Sequence, residues 1–322
     1  MVADLFEPYR KRVFCADLDS GERVDEVFCV TRTNRKMGRN GPFLSLEFAD
    51  RSGRIPGVAW DNADALAVTL VEGAFARVRG VVTDYRGQPQ IQVEAAEPAP
   101  QVDPAEYLPR APVSGSESVT AIRRLAGSIT EPFLKQLVME LLGDPHFVEH
   151  FSAAPAAKVN HHAYVGGLAE HTQSVMDLCE LAAGHYPDLD RDLLLAGAFL
   201  HDLGKVDELA VEPGFPYTEA GSLLGHIALG YAFIRERIAR VDGFPADLAT
   251  DVLHLVLSHQ GELEWGSPVK PQTLEAIVLH HLDNLDSKVT SARAHLDVAA
   301  GSRTGYIRSL QRSLFRRPPE VQ

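Results

Sequence analysis

Long apolar runs are missing from these 322 residues. No stretch approaches the roughly 20 consecutive apolar residues of a membrane-spanning helix, so no membrane partner is expected. The opening "MVADLFEPYRKRVFCADL" lacks a signal-peptide apolar core. Cysteine is scarce: Cys15, Cys29 and Cys179 are odd in number, far apart and without CxxC spacing. That argues against a cysteine-based zinc site and for a reducing, cytoplasmic setting. Internal repeats and low-complexity tracts are absent. So is an excess of positive charge: the formal net charge of −13 argues against a broadly basic nucleic-acid coat.

What is present is enough apolar material for two domains. Hydrophobic residues make up 45% and charged residues 23%, the composition of an ordinary globular protein. The charge is uneven. Residues 1–100 hold 13 Lys and Arg against 15 Asp and Glu, leaving 18 against 29 for the remainder. The acidic remainder also holds the histidines, which cluster between His146 and His295. Histidine enrichment in an acidic segment is what a metal site produces.

Residues 24–97 read as strands. "RVDEVFCVTRTNRK", "PFLSLEFAD" and "RIPGVAW" are separated by the turn signals "MGRNG" and "RSG". "DNADALAVTL" has an aspartate cap and helical spacing. Two more strands follow, "GAFARVRGVVTDY" and "QPQIQVEAAEP". Five strands with a short helix between the third and fourth is the order of an OB-fold barrel, though a small barrel of another type has the same count. Pro98 to Ser118 is rich in Pro, Ser and Gly and reads as a connector. From there to about Arg303 apolar residues recur at three- and four-residue spacing, the helical pattern. The expected division is a small all-β barrel at 1–98, a linker at 99–118, an all-helical domain at 119–305 and a basic tail at 306–322.

The stretch "LLLAGAFLHDLGKVDEL" ends an apolar helical run on His201 and Asp202. Burying either group unpaired costs several kcal/mol. The same pattern recurs at His171 in "GGLAEHTQSV", His226 in "SLLGHIALGY", His259 in "DVLHLVLSHQGE" and Asp283 in "EAIVLHHLDNLD". Taken alone, any of these fits a hydrogen-bonded core residue. As an ordered set of inward groups in an all-helical domain they call for compensation, and a pair of divalent metal ions supplies it.

This order resembles the HD superfamily of metal-dependent phosphohydrolases. More narrowly, "NHHAYVGGLAEHT", "AGAFLHDLGKVDEL", "LLGHIALGY", "LSHQGELEWGSP" and "LEAIVLHHLDNLDSK" resemble the YhaM family of 3'-5' exoribonucleases, which joins an N-terminal OB-fold to a C-terminal HD domain. The resemblance implies that His171, His201, Asp202 and Asp283 hold one metal. Asp202 would bridge to a second, completed by His226 and His259. It implies a catalytic role for Asp202. Lys205, one turn beyond His201, should face the same site by its spacing and serve as a point charge beside a phosphate oxygen, the alternative being a solvated lysine at a helix end. Where the family shows two histidines, this chain has His259 followed by Gln260. Asp286, three residues past Asp283, is the alternative carboxylate.

Imidazole and carboxylate ligands suit Mn, Fe, Co or Zn, and the resemblance favours manganese. The implied activity is hydrolysis of single-stranded RNA, with single-stranded DNA a second candidate, to nucleoside 5'-monophosphates. A homo-oligomer is left open. Candidate strand contacts are Arg32, Arg35, Lys36 and Arg39 around the first hairpin, with Phe43, Phe48, Trp60 and Tyr85 as stacking platforms or core. His161 and His162 are candidates along the substrate path. The rival functions are a small-nucleotide phosphohydrolase and a non-catalytic nucleic-acid-binding protein. The chain lacks the GYP tripeptide of cyclic-dinucleotide HD enzymes.

Overall fold

Strand-forming residues crowd the first hundred positions and helix-forming residues the rest, and the two segregate in space. In the computed structural model the chain forms two compact units: Met1–Arg110 with Glu212–Pro216, and Ala111–Val211 with Tyr217–Gln322. The structure describes residues 9–39, 41–85, 87–99, 101–102, 106–108, 113–158, 162–212, 214–297 and 301–316. Among the described residues no helix is long and apolar enough to cross a membrane.

The first unit is a closed five-stranded barrel, β1 (Arg23–Gly38), β2 (Gly41–Asp50), β3 (Gly53–Ala59), β4 (Phe75–Tyr85) and β5 (Gln88–Pro98), in the order β1-β2-β3-β5-β4. This is the OB-fold. β1 is long enough to serve two partners, pairing with β4 through Cys29 and with β2 from Cys29 onward. A bulge between Val30 and Arg32 turns it from one to the other, as barrel closure requires. Inward residues of every strand, among them Phe28, Leu44, Phe48, Ile55, Val78 and Ile91, fill the interior. Phe48 is therefore core, not a stacking platform.

The helical reading of "DNADALAVTL" shrinks to one turn, α1 (Ala63–Leu66). It starts at Asn62, whose φ of 55° is one that asparagine tolerates, instead of under an aspartate cap. A feature not anticipated is a fully buried ion pair. Lys11 Nζ lies 3.3 Å from Asp50 Oδ2, bonds Val27 O and sits 3.8 Å over the Phe28 ring.

The second unit is helical: α2 (Gly115–Gly127), α3 (Pro132–Gly143), α4 (Pro145–Ala153), α5 (Gly167–His185), α6 (Arg191–Leu200), α7 (Lys205–Glu208), α8 (Glu219–Arg240), α9 (Ala246–Ser258) and α10 (Leu274–Asp297). α2 begins inside the expected connector. Ser114 and Glu117 form a capping box there, with Ser114 N donating to Glu117 Oε2 (3.0 Å) and Glu117 N to Ser114 Oγ (3.3 Å). Asp144, Asp190 and Thr218 cap α4, α6 and α8 by accepting from first-turn backbone N–H groups through their side chains. α6 is buried on all sides from Leu193 to Leu200, which makes it the axis of the unit. α5, α9 and α10 pack around it. Among the described residues α10 runs to Asp297, and Gly301 and Ser302 are no longer helical. The start of the basic tail instead makes small bridges, Arg303 with Phe315 and Ile307 with Arg312.

Candidate metal centre and strand-binding face

The apolar run of α6 ends at a turn, and His201 and Asp202 lie in it, both buried. α5 brings His171, α8 brings His226, the end of α9 brings His259 and α10 brings Asp283. Two glycines make this convergence possible. A Cβ on Gly204 would collide with the backbone of His226, so only glycine lets the Asp202 turn meet α8. Gly225, at φ 73°, breaks α8 one residue before His226 and frees the His226 N–H to donate to Glu208 Oε1 (2.9 Å).

The imidazoles are held by their Nδ1 atoms. His201 donates from Nδ1 to Ala198 O and His259 to Val256 O, each at 2.8 Å. Nδ1 of His171 lies 2.8 Å from Asp286 Oδ2, and Nδ1 of His226 lies 3.2 Å from Glu208 Oε1. A carbonyl or carboxylate oxygen accepts, so each Nδ1 carries a proton, and each ring in its neutral form offers an Nε2 lone pair. All four lone pairs converge on Asp202. Its Oδ2 lies 3.5 Å from His171 Nε2, 3.4 Å from His201 Nε2 and 2.6 Å from Lys205 Nζ. Its Oδ1 lies 3.5 Å from both His226 Nε2 and His259 Nε2. Asp283 Oδ1 lies 3.2 Å from His171 Nε2, on the first side.

Two triads result, His171–His201–Asp283 and Asp202–His226–His259, and each gathers its donor atoms within 4.8 Å. The buried Oδ1 of Asp202 and Nε2 of His226 make no hydrogen bond. The Nε2 atoms of His171 and His201 stand 3.4 Å apart. Imidazoles and carboxylates converging in a buried acidic pocket, with Asp202 Oδ1 and His226 Nε2 left without a hydrogen bond, fit divalent cations. The electrostatics agree. Burial opposes ionisation of Asp202, yet Lys205 and His201 hold its carboxyl well below the usual range. Burial likewise disfavours a charged His171, but Asp283, Asp286 and Asp202 outweigh it and raise its pKa to about 9, so without a cation a proton sits in this acidic pocket, and a metal ion would take that proton's place on Nε2.

Asp283 and Asp286 thus differ in place. Asp283 shares the converging side of His171, while Asp286 stands behind the ring and also accepts from Ser174 Oγ. Glu208 does for His226 what Asp286 does for His171. The sequence offers Asp286 only as an alternative ligand, not as a supporting group, and Glu208 was missed altogether. The one signal for Glu208 was position, six residues past Asp202. His162 is buried, with Nε2 3.2 Å from Asp286 Oδ2 and Nδ1 2.9 Å from the Tyr164 hydroxyl, so it belongs to this supporting layer and does not fit the substrate path. His161 lies outside the described residues. Lys205 does face the centre, as its spacing from His201 anticipates. Gln260 Nε2 lies 3.3 Å from His259 Nε2, at the edge of the second triad.

On the barrel, strand register separates the cations. Arg32 and Lys36 stand opposite Glu47 and Phe43, and Arg35 opposite Leu44. Cross-strand partners share a face, so Arg35 projects on the side of inward-facing Leu44, where it pairs with Asp64 at 2.7 and 3.3 Å. It is a poor strand contact. Arg32 and Lys36 share the face of Phe43, whose ring lies 4.8 Å from that of Trp60. Arg39 lines a hollow beside both rings. Tyr85 is half exposed where β4 turns into β5.

Two families match the chain. Residues 29–99 match an OB-fold nucleic acid binding domain and residues 168–288 match the HD domain. Three relatives carry the name 3'-5' exoribonuclease YhaM. Those of Bacillus velezensis and Bacillus subtilis are each 36% identical over 306 residues, and that of Bacillus licheniformis is 35% identical over 303. Each alignment covers 92% of this chain and 96% of the relative. With both domains in the same order and the likeness running nearly end to end, the chain belongs to the YhaM family.

Proposed function

We propose that this protein is a metal-dependent 3'-5' exoribonuclease that shortens single-stranded RNA and releases nucleoside 5'-monophosphates. The observation that carries this reading is the division of Asp202. One oxygen meets His171 and His201, and the other meets His226 and His259. A carboxylate so placed could serve both members of a two-metal site. His171, His201, Asp202 and Asp283 would hold the first, and Asp202, His226 and His259 the second, manganese being the favoured ion.

When bound, such ions supply Lewis-acid charge at a phosphate and an activated water. The chain's own residues do the rest. Asp286 and Glu208 hold the His171 and His226 rings in the tautomer that presents Nε2. Lys205, 2.6 Å from Asp202, would give its ammonium to a non-bridging phosphate oxygen. Arg32, Lys36 and Arg39 would attract the strand, and Phe43 with Trp60 would stack its bases. Three unpaired, buried cysteines suit the reducing cytoplasm.

The test is incubation of the purified full chain and manganese with a 5'-labelled single strand, beside mononucleotides. A ladder that shortens from the 3' end supports the reading. Release of phosphate from mononucleotides alone, with the strand intact, overturns it in favour of a small-nucleotide phosphohydrolase. A DNA strand in parallel reports the sugar preference.

A further inference from the structure

The centre opens into a cavity of about 580 Å³, a size typical of small-molecule sites. Lys205, His226 and Asp283 form part of its wall. Other wall residues have no part in the hydrolytic centre: Lys158, Tyr217, Trp265 and Asn284. The two rings stand out because 51% of Tyr217 and 53% of Trp265 is exposed, although both line a concave site. Scattered exposed aromatics need no explanation, but two of them sharing a cavity with a buried polar centre do. Each ring also has a cation nearby. Lys158 Nζ lies 5.8 Å from the Tyr217 ring centre and Lys288 Nζ 6.0 Å from that of Trp265.

Flat apolar faces, neighbouring ammonium groups and an amide beside a phosphate-seeking centre match the parts of a nucleotide. Every base has a π-face, so stacking grips a strand end without regard to sequence, which a nuclease that removes residue after residue requires. We infer that this cavity is a nucleoside pocket, in which Tyr217 and Trp265 stack the terminal bases of the strand and Lys158 meets the adjoining phosphate. The inference rests on the exoribonuclease reading of the centre and adds to it the groups that hold the base.

Trp60 and Trp265 are the chain's two tryptophans, so Trp60→Phe leaves Trp265 as its own reporter. Adenosine 5'-monophosphate and ribose 5-phosphate are titrated into the manganese-loaded full chain. The nucleotide should quench Trp265 saturably, whereas the sugar phosphate, which lacks the base, should not. Calorimetry on the chain without that substitution makes the same comparison, should Trp60→Phe disturb the barrel. Tyr217→Ala and Trp265→Ala should each weaken nucleotide binding about five- to hundred-fold, and Tyr217→Phe, which keeps the ring, should restore it. Equal affinity for the two ligands, or unchanged nucleotide affinity in both alanine variants, overturns the pocket.

This binding needs no turnover, so the two readings fail separately. Ring-dependent nucleotide binding by a protein that never shortens RNA would remove the exoribonuclease reading and keep the pocket. Shortening of RNA with base-blind binding would do the reverse.

Discussion

Asp286 touches no proposed ion, yet its loss should be felt at the centre. Its Oδ2 accepts from His171 Nδ1 at 2.8 Å, and Ser174 Oγ donates to its Oδ1. Burial favours its protonated form, but His162 and His171 hold its carboxyl far below the ordinary range, so it stands behind the ring as a full negative charge. Two substitutions separate charge from geometry. Asp286→Asn can still accept from His171 Nδ1 through its amide oxygen while the Ser174 hydroxyl turns to accept from its NH₂. It loses charge and keeps shape. Asp286→Ala loses both, and it frees the His171 ring to turn its Nε2 away from Asp283. Removing such a supporting carboxylate costs about 10- to 100-fold in metal affinity, so the asparagine should sit near the lower figure and the alanine near the upper. The assay is calorimetric titration of manganese at fixed pH into each variant, with helix content checked by circular dichroism. Wild-type affinity in a folded Asp286→Ala variant would show that the carboxylate does not orient His171, and the division of labour drawn between Asp283 and Asp286 would be wrong.

Asp202→Asn should abolish strand shortening and most manganese binding, since an amide cannot offer two anionic oxygens to two cations; substantial turnover at saturating manganese counts against it as the shared ligand. On the barrel, replacing Arg32, Lys36 and Arg39 with alanine should weaken long-strand binding and lower the salt dependence by about 0.7 in log–log slope per lost contact. Arg35→Ala should leave binding unchanged because its charge is committed to Asp64, and equal losses in the two variants would discard the register argument. Asp192 accepts from Thr130 N, Thr130 Oγ and Glu131 N at 2.6–2.8 Å. Burial opposes its charge, but these donors hold its carboxyl below the usual range. The stability it contributes, about 1–3 kcal/mol, is therefore complete above about pH 4 and lost as pH falls through the lower folded value. Chemical denaturation of Asp192→Asn against the parent should show a gap at pH 7 that closes in acid, and a gap constant with pH refutes the linkage.

Much of this molecule follows from local sequence. Alternating apolar residues between glycine-rich turns yield five strands, because one buried face has a period of two. The fourth expected element, a helix, came out as a single turn, since so short a helix takes its length from packing more than from propensity. His201 and Asp202 could be singled out without any structure, because two ionisable groups at the end of an all-apolar helix must be compensated where they stand. Chain folding decided the rest. His171 and Asp286 are 115 positions apart, and no local pattern says which nitrogen of the ring meets which aspartate. Arg35 resembles Arg32 and Lys36 in sequence, yet its place in the register and the position of Asp64 remove it from their face. Glu208 looks like any acidic residue at a helix end until the break at Gly225 brings the His226 backbone and ring to it. Residue types and their order along the chain announce what must be compensated. Only tertiary packing, through register, helix contact and the direction of individual oxygen and nitrogen atoms, determines what compensates it.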